Sequence, residues 1–194
     1  MNTTKIYVAG DADLRYLPDI EKAIMESSTV KGTGIAVRSR KYLTEKIKAG
    51  KSVIAIHHDG TWAGFCYIES WGHKKFVANS GLVVNGLFRG QGLAGKIKEK
   101  ALELSKEIFP AAKIFGLTTS LAVMKINSNL GYKPVTFSEL TDDDDFWSGC
   151  ESCPYYDILV RTKRTHCLCT AMLMDDTGEK HSAAEAQSNE EKAG

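Results

Sequence analysis

"GLFRGQGLAGKIK", residues 86–98, decides how this chain is to be read. Gly90, Gly92 and Gly95 make G-x-G-x-x-G, the spacing of a dinucleotide-binding turn. Such a turn belongs after the first strand of a parallel α/β domain, with an acidic residue about 20 positions on for the ribose hydroxyl. Here three strand-like runs come first: "SVIAIHH", "TWAGFCYIESWG" and "KFVANSGLVV". Asp59-Gly60 joins the first two and a turn at Gly72, His73 and Lys74 joins the last two, which implies an antiparallel meander. The strand after the motif, "KIFGLTT", ends in threonines rather than an acid. The dinucleotide reading is disfavoured, but the physics of the stretch survives. A glycine-rich turn opening a helix aims unpaired N–H groups at an anion and lets a phosphate approach closely. A turn that serves helix packing alone is the bland alternative.

Working outward, "KIYVAG" reads as a strand, and Asp11 or Asp13 can cap a helix carrying Leu14, Leu17, Ile20, Ala23 and Ile24. "VKGTGIAVRSR" reads as a loop, and "SRKYLTEKIKAG" as a helix from Ser39 to a stop at Gly50. After the glycines, Leu93, Ile97, Ala101, Leu102 and Leu104 form the apolar stripe of a strong helix. "SLAVMKINSNLG" predicts a helix ending at Gly131, and "YKPVTF" a strand. "TDDDDFW" reads as a solvated helix start capped by Thr141. "YYDILV" and "HCLCTAMLM" read as strands, and the region from Asp175 lacks the large apolar residues needed to order it. The expected organisation is one domain over residues 1–174, with a core at 5–137, an extension at 138–174 and a disordered tail at 175–194.

Composition narrows the function. The 194 residues are 43% hydrophobic and 25% charged with a net charge of +1, so no basic stripe nominates nucleic acid or a membrane surface. No secretory signal or membrane-length apolar run is present, and five cysteines are then expected as reduced thiols in the cytoplasm. A small-molecule or protein substrate is expected, and a homodimer is one open assembly state.

The stretch resembles the GCN5-related N-acetyltransferase (GNAT) superfamily, whose motif is [RQ]-x-x-G-x-[GA]. Arg89-Gly90-Gln91-Gly92-Leu93-Ala94 is the register that matches, with glycine at the second and fourth places and alanine at the sixth. "LVVNGLF" resembles the family's strand and lead-in, with Gly86 where proline is common. The resemblance covers about residues 5–137. It implies an α/β (α+β) fold with a mixed, mostly antiparallel sheet of about seven strands flanked by helices, here with a cysteine-containing β extension. It also implies an acyl-coenzyme A donor and an amine acceptor. Backbone amides from Arg89 through Gly95 would hold the pyrophosphate, with Arg89 and Lys96 adding charge. Leu82, Val83 and Val84 would pair with the pantetheine arm and support the thioester oxygen.

The acceptor amine must lose a proton, so a base near the middle strands is wanted. Glu69 is the best carboxylate, its alternative being a polar residue on an open strand face; Asn79 and Ser80 are candidates to orient water or substrate. His73 reads as a loop residue. Where the family often has a tyrosine to protonate the leaving thiolate, this chain has Asn127, upstream of Gly131-Tyr132.

"IFGLTTSLAVMKINSNLGY" resembles the acyltransferase domains of N-acetylglutamate synthases. "KGTGIA", "FCYIESWG" and "FVANSGL" look like single-domain GNAT proteins of Bacteroidetes associated with arginine biosynthesis. These likenesses imply acetyl- or succinyl-coenzyme A as donor and the α-amino group of glutamate or a relative as acceptor. Arg38, Thr118, Thr119 and Lys125 are candidates to hold it. A protein N-terminus, lysine or polyamine is the alternative acceptor, and a non-catalytic acyl-coenzyme A sensor is the alternative function.

Cys150-x-x-Cys153 and Cys167-x-Cys169 remain. On a strand the second pair would share a face and, with the first, offer a zinc site; plain thiols are favoured over structural zinc or redox chemistry. A zinc-stabilised interaction domain is the third class of function considered.

Overall fold

The computed structural model describes residues 3–30 and 35–174; the segment at 31–34, within the "KGTGIA" likeness, and the expected tail from 175 lie outside the described residues. β1 (Thr4–Val8), β2 (Ser52–His57), β3 (Trp62–Trp71) and β4 (Phe76–Val84) form an antiparallel run, and β2–β4 are the meander expected from the turn residues. Gly72, His73 and Lys74 all take positive φ (55°, 55° and 68°), which reverses the chain sharply between β3 and β4. β5 (Lys113–Thr118) lies parallel to β4, β7 (Thr170–Met174) lies antiparallel to β5, and β6 (Lys133–Val135) takes the edge. The order is β1-β2-β3-β4-β5-β7-β6, a mixed, mostly antiparallel seven-stranded sheet.

Helices cover both faces. α1 (Leu17–Ser28) and α2 (Arg40–Lys48) pack Ile20, Ile24, Leu43 and Ile47 against Ile54 and Phe65. α3 (Leu93–Ile108) packs Ile97, Ala101 and Leu104 against Val53, Ala63, Cys66 and Ile68 on the opposite face. Alternating strand residues therefore feed two different cores, so β2 and β3 are apolar on both sides. Ser39 caps α2 as expected, its Oγ accepting from Tyr42 N–H at 3.2 Å. The first helix starts differently. Residues Asp11–Tyr16 form a 3₁₀ turn before α1, and Asp13 folds back to accept from Gly10 N–H (3.0 Å) and Tyr7 Oη (2.8 Å).

The C-terminal third departs most from expectation. "YYDILV" is not a strand: α6 (Tyr156–Arg161) buries Leu159 beneath the third core cluster with Phe115, Phe137 and Trp147. Its strand-like composition yields to a turn at residues 151–155 and to helical packing of that one leucine. The last strand begins only at Thr170, so Cys167 and Cys169 precede it and the shared-face argument for them fails. α5 (Asp144–Ser148) is capped by Asp143, whose Oδ1 accepts from Asp145 N–H at 3.0 Å, not by Thr141. Thr141 instead accepts from Asp143 N–H through Oγ1 and from the Trp147 indole through its carbonyl. The acidic run is not merely solvated, because Asp143 Oδ2 also takes the Gly72 N–H at 2.8 Å and ties α5 to the β3–β4 turn. Among the described residues no helix is long and apolar enough to cross a membrane.

Candidate active site

β4 has two halves. Phe76, Val77 and Ala78 pair with Lys113, Ile114 and Phe115 of β5, and there the β4–β5 pairing stops. Beyond Ala78, β4 stays paired with β3, while β5 stays paired with β7 through Thr118, so the two central strands part. A bulge drives the parting. Phe65 faces Val83 but Tyr67 faces Ser80, leaving an extra β4 residue opposite β3. Gly81 sits in that bulge at φ +64°, and a Cβ there would lie 2.4 Å from the Tyr67 ring. Glycine is required at Gly81 both by backbone conformation and by the aromatic ring that fills its side-chain space.

The glycine stretch follows at the mouth of this gap. Gly90 (φ 74°) and Gly92 (φ 73°) are left-handed, and α3 begins at Leu93 as expected. The first α3 bond closes from Lys96 N–H to Gly92 O, so the amides before it have no helical partner. Added Cβ atoms at Gly90, Gly92 or Gly95 would meet nothing within 4 Å. An open face lined by backbone N–H groups at a helix N-terminus suits a pyrophosphate. Arg89 donates from Nε to Val84 O at 3.2 Å, fastening the loop to the end of β4, and Gln91 donates to Leu87 O. Lys96 is exposed.

Between the parted strands lies a cleft of about 170 Å³ that reaches through the sheet. From the α3 face come Lys98 and, from α4 (Leu121–Asn129), Val123 and Asn127; from the other come Ile35, Ala36, Arg38 and Tyr67, with Phe146, Gly149 and Cys150 closing one side. Leu82 and Thr118 line it, Val83 and Val84 continue β4 past it, and Thr119, Lys125 and Glu69 are not among its lining residues. Thr118 Oγ1 is engaged by Ser120 N–H at 3.0 Å, and Lys125 is exposed. Among the described lining residues two are cations, Arg38 and Lys98, and none is acidic.

Arg38 donates from Nε to Tyr67 Oη at 3.1 Å and packs its guanidinium against Gly149. Burial opposes its charge, but Tyr67, Tyr42 and Glu69 more than compensate and hold it above its ordinary value. The Tyr67 and Tyr42 rings meet edge-on with centroids 5.6 Å apart, and burial raises the pKa of both phenols. The Tyr42 hydroxyl donates to Glu69 Oε2, while Lys46 Nζ pairs with Oε1. Glu69 thus stands behind Tyr42, paired with Lys46, rather than in the cleft wall.

Asn79 is buried, and its side chain is committed to the α3 side. Nδ2 donates to Ser105 Oγ at 2.8 Å and Oδ1 accepts from Tyr132 Oη at 2.7 Å, so the side chain braces α3 and the Gly131-Tyr132 segment against β4. Asn127, 1% exposed, donates from Nδ2 to Met172 Sδ at 3.6 Å, and its Oδ1 is buried without a hydrogen-bond partner.

Lys98 and Tyr67 are the two titratable residues of the cleft that the sequence did not single out. A lysine on a long charged helix looks solvated, yet Lys98 is 2% exposed. Its spacing to Ala101, Leu102 and Ser105 places it on the buried face, which was the available signal. All four C-terminal cysteines line one small apolar cavity beside the cleft, with thiols pushed up by burial at Cys150 (to about 11) and Cys169 (to about 12). Among the described residues no group of histidine, cysteine or acid side chains could hold a metal ion.

No family model matches this chain, and no curated protein sequence matches it. Solved structures do. N-acetylglutamate synthase from Neisseria gonorrhoeae, with coenzyme A and N-acetyl-glutamate, aligns at TM-score 0.62 and 16% identity over 88% of this chain and 34% of that one. The present chain therefore spans about a third of that protein. Rv2747 from Mycobacterium tuberculosis, in complex with CoA, gives TM-score 0.63 and 16% identity over 88% and 98% of the two chains. A GNAT superfamily phosphinothricin acetyltransferase from Sinorhizobium meliloti, with acetyl-CoA, gives 0.59 and 13% over 93% and 95%. The fold of this protein is the GNAT fold.

Proposed function

We propose that this protein is an acyl-coenzyme A-dependent N-acyltransferase whose acceptor is the α-amino group of a small anionic amino acid, glutamate first. The observation that carries the proposal is a cleft between parted strands, lined in part by the β4 strand that leads into the glycine cradle, whose charged lining is cationic only. Such a lining suits an acceptor with carboxylates and opposes a polyamine. Bound acyl-coenzyme A supplies an activated thioester carbonyl.

Gly90 through Gly95 would hold the pyrophosphate with backbone amides, and the free edge of β4 from Leu82 to Val84 would align the pantetheine arm. Arg38, with Thr118 across the cleft, would take a carboxylate of the acceptor. Glu69, held by Tyr42 and Lys46 outside the cleft wall, would accept the amine proton through water rather than by touching substrate. The structural likeness to N-acetylglutamate synthase supports glutamate as acceptor and acetyl as the transferred group; a succinyl donor, and arginine biosynthesis in the cytoplasm as the setting, are further parts of this proposal.

Thiol release from acetyl- and succinyl-coenzyme A, with glutamate, ornithine, lysine, spermidine and a peptide as acceptors, tests this. Glutamate-dependent release is expected, and Glu69→Gln should lower kcat while leaving coenzyme A binding intact. Binding without turnover on any amine would support the second reading, an acyl-coenzyme A sensor, which Asn127 in place of a phenol on α4 favours.

A further inference from the structure

Lys98 projects from the middle of α3 to the apex where β4 and β5 part. Its Nζ donates to Asn79 O at 3.3 Å and lies 5.4 Å from the centroid of the Tyr132 ring. Around Gly116, the first β5 residue past the pairing, Nζ and Asn127 Nδ2 come within 3.6 and 3.7 Å of where a Cβ would stand. Any larger residue at Gly116 would fill the space in front of both groups. Among the described residues no carboxylate neutralises this lysine: the titratable groups facing it are Cys66 from β3 and Tyr132, besides the Asn79 carbonyl of β4 and the Asn127 amide of α4. A fully buried ammonium is costly, and one left with spare N–H donors at the floor of a cleft calls for a partner that visits the site.

The two faces of the cleft say which partner. The glycine cradle opens α3, so the donor approaches along the α3 face, whereas Arg38 and Tyr67 present the acceptor from the opposite face. A nucleophile arriving from the Arg38 side expels its leaving group toward the α3–α4 side, where Lys98 stands.

The geometry points to Lys98 as the proton donor to the departing thiolate sulfur of the acyl donor. This rests on the acyl-transfer reading above. The acceptor nitrogen bonds to the acyl carbon as the carbon–sulfur bond breaks, and the sulfur leaves with the bonding pair and takes a proton from the Lys98 ammonium. The acceptor ammonium gives its first proton toward Glu69 before attack; the second, shed by the nitrogen once the new bond has formed, returns Lys98 to its starting form through water in the cleft, so no external acid is consumed. Burial lowers the pKa of Lys98, which makes its ammonium a stronger acid than a solvated one. Cys66, its thiol pushed up to about 11 by burial, stays protonated beside it and does not compete for the role at neutral pH.

The test compares the intact chain with Lys98→Met and Lys98→Gln, each checked for folding by thermal melting. With coenzyme A bound, thiolate absorbance is followed against pH. A cation beside the sulfur should make the bound thiol titrate about one pH unit or more below its value in K98M, a tenfold difference in proton affinity. With acyl donor and the best acceptor, kcat should fall about 100-fold or more, with the acceptor KM nearly unchanged. Identical thiol titrations in the three proteins overturn the proposal, as does a loss confined to acceptor KM. If neither variant folds, a bound thiol in the natural protein that titrates like free coenzyme A overturns it. Failure of coenzyme A to bind at all would sink the acyl-transfer reading together with this one, whereas binding with unaltered titration removes only Lys98.

Discussion

The cradle at Gly90–Gly95 and the cleft beside Tyr67 are both reached from β4 but are built in opposite ways. The cradle is backbone: two left-handed glycines, a helix start and open space above them. The cleft is side chains drawn from well-separated segments, including Arg38 ahead of α2, Tyr67 on β3, Lys98 on α3, Asn127 on α4 and Cys150 after α5. A backbone site tolerates sequence change provided that its conformation survives. A side-chain site fails one residue at a time.

Filling Gly81 strikes the cleft hardest. Gly81→Val would strain a left-handed position and collide with the Tyr67 ring, for a loss of about 2–5 kcal/mol in denaturant unfolding. Any folded fraction should lose acceptor binding before donor binding; equal loss of both would erase the distinction between the two regions.

Arg38→Met comes next. Losing charge-assisted hydrogen bonds to a carboxylate should raise the acceptor KM about 10- to 100-fold while the Kd for coenzyme A stays put. An unchanged KM for glutamate, measured by thiol release, would move the carboxylate site away from Arg38.

Gly92→Ala tests the cradle alone. A left-handed alanine costs about 1–2 kcal/mol, so calorimetry should show coenzyme A binding weakened about tenfold, with acceptor KM preserved.

The smallest effect concerns the clamp that holds α5 over the cleft. The Gly72 N–H bond keeps Asp143 below the usual carboxylate range, so its contribution is present above the ordinary carboxylate pKa and lost as pH falls through the depressed folded value. Asp143→Asn should flatten that part of the melting-temperature profile under acid conditions and leave the cradle's donor affinity alone.

What was legible follows the same division. The meander, the α2 cap at Ser39, the α3 stripe and the start of α3 at Leu93 are local: turn residues, capping hydroxyls and helical spacing act within a few positions. Glu69 was singled out as a strand carboxylate, but its tie to Tyr42 and Lys46 needed α2 to be laid against β3. Thr119 and Lys125 share a strand end and helix with true lining residues, and only the rotation of those elements leaves them out of the cleft wall. The segment "YYDILV" has strand-like residues, and helix won there because one face of a short turn could bury Leu159.

By itself, the sequence determined the β2–β4 meander, the order of the central elements and the glycine turn that opens α3, because each is written in near-neighbour chemistry. Tertiary structure alone decided that a lysine of an amphipathic helix ends at the floor of a cleft, that the cysteines gather beside it and that a tyrosine ring occupies the side-chain space of a distant glycine. Those facts depend on which strand parts from which, and the parting is set by packing between residues far apart in the chain.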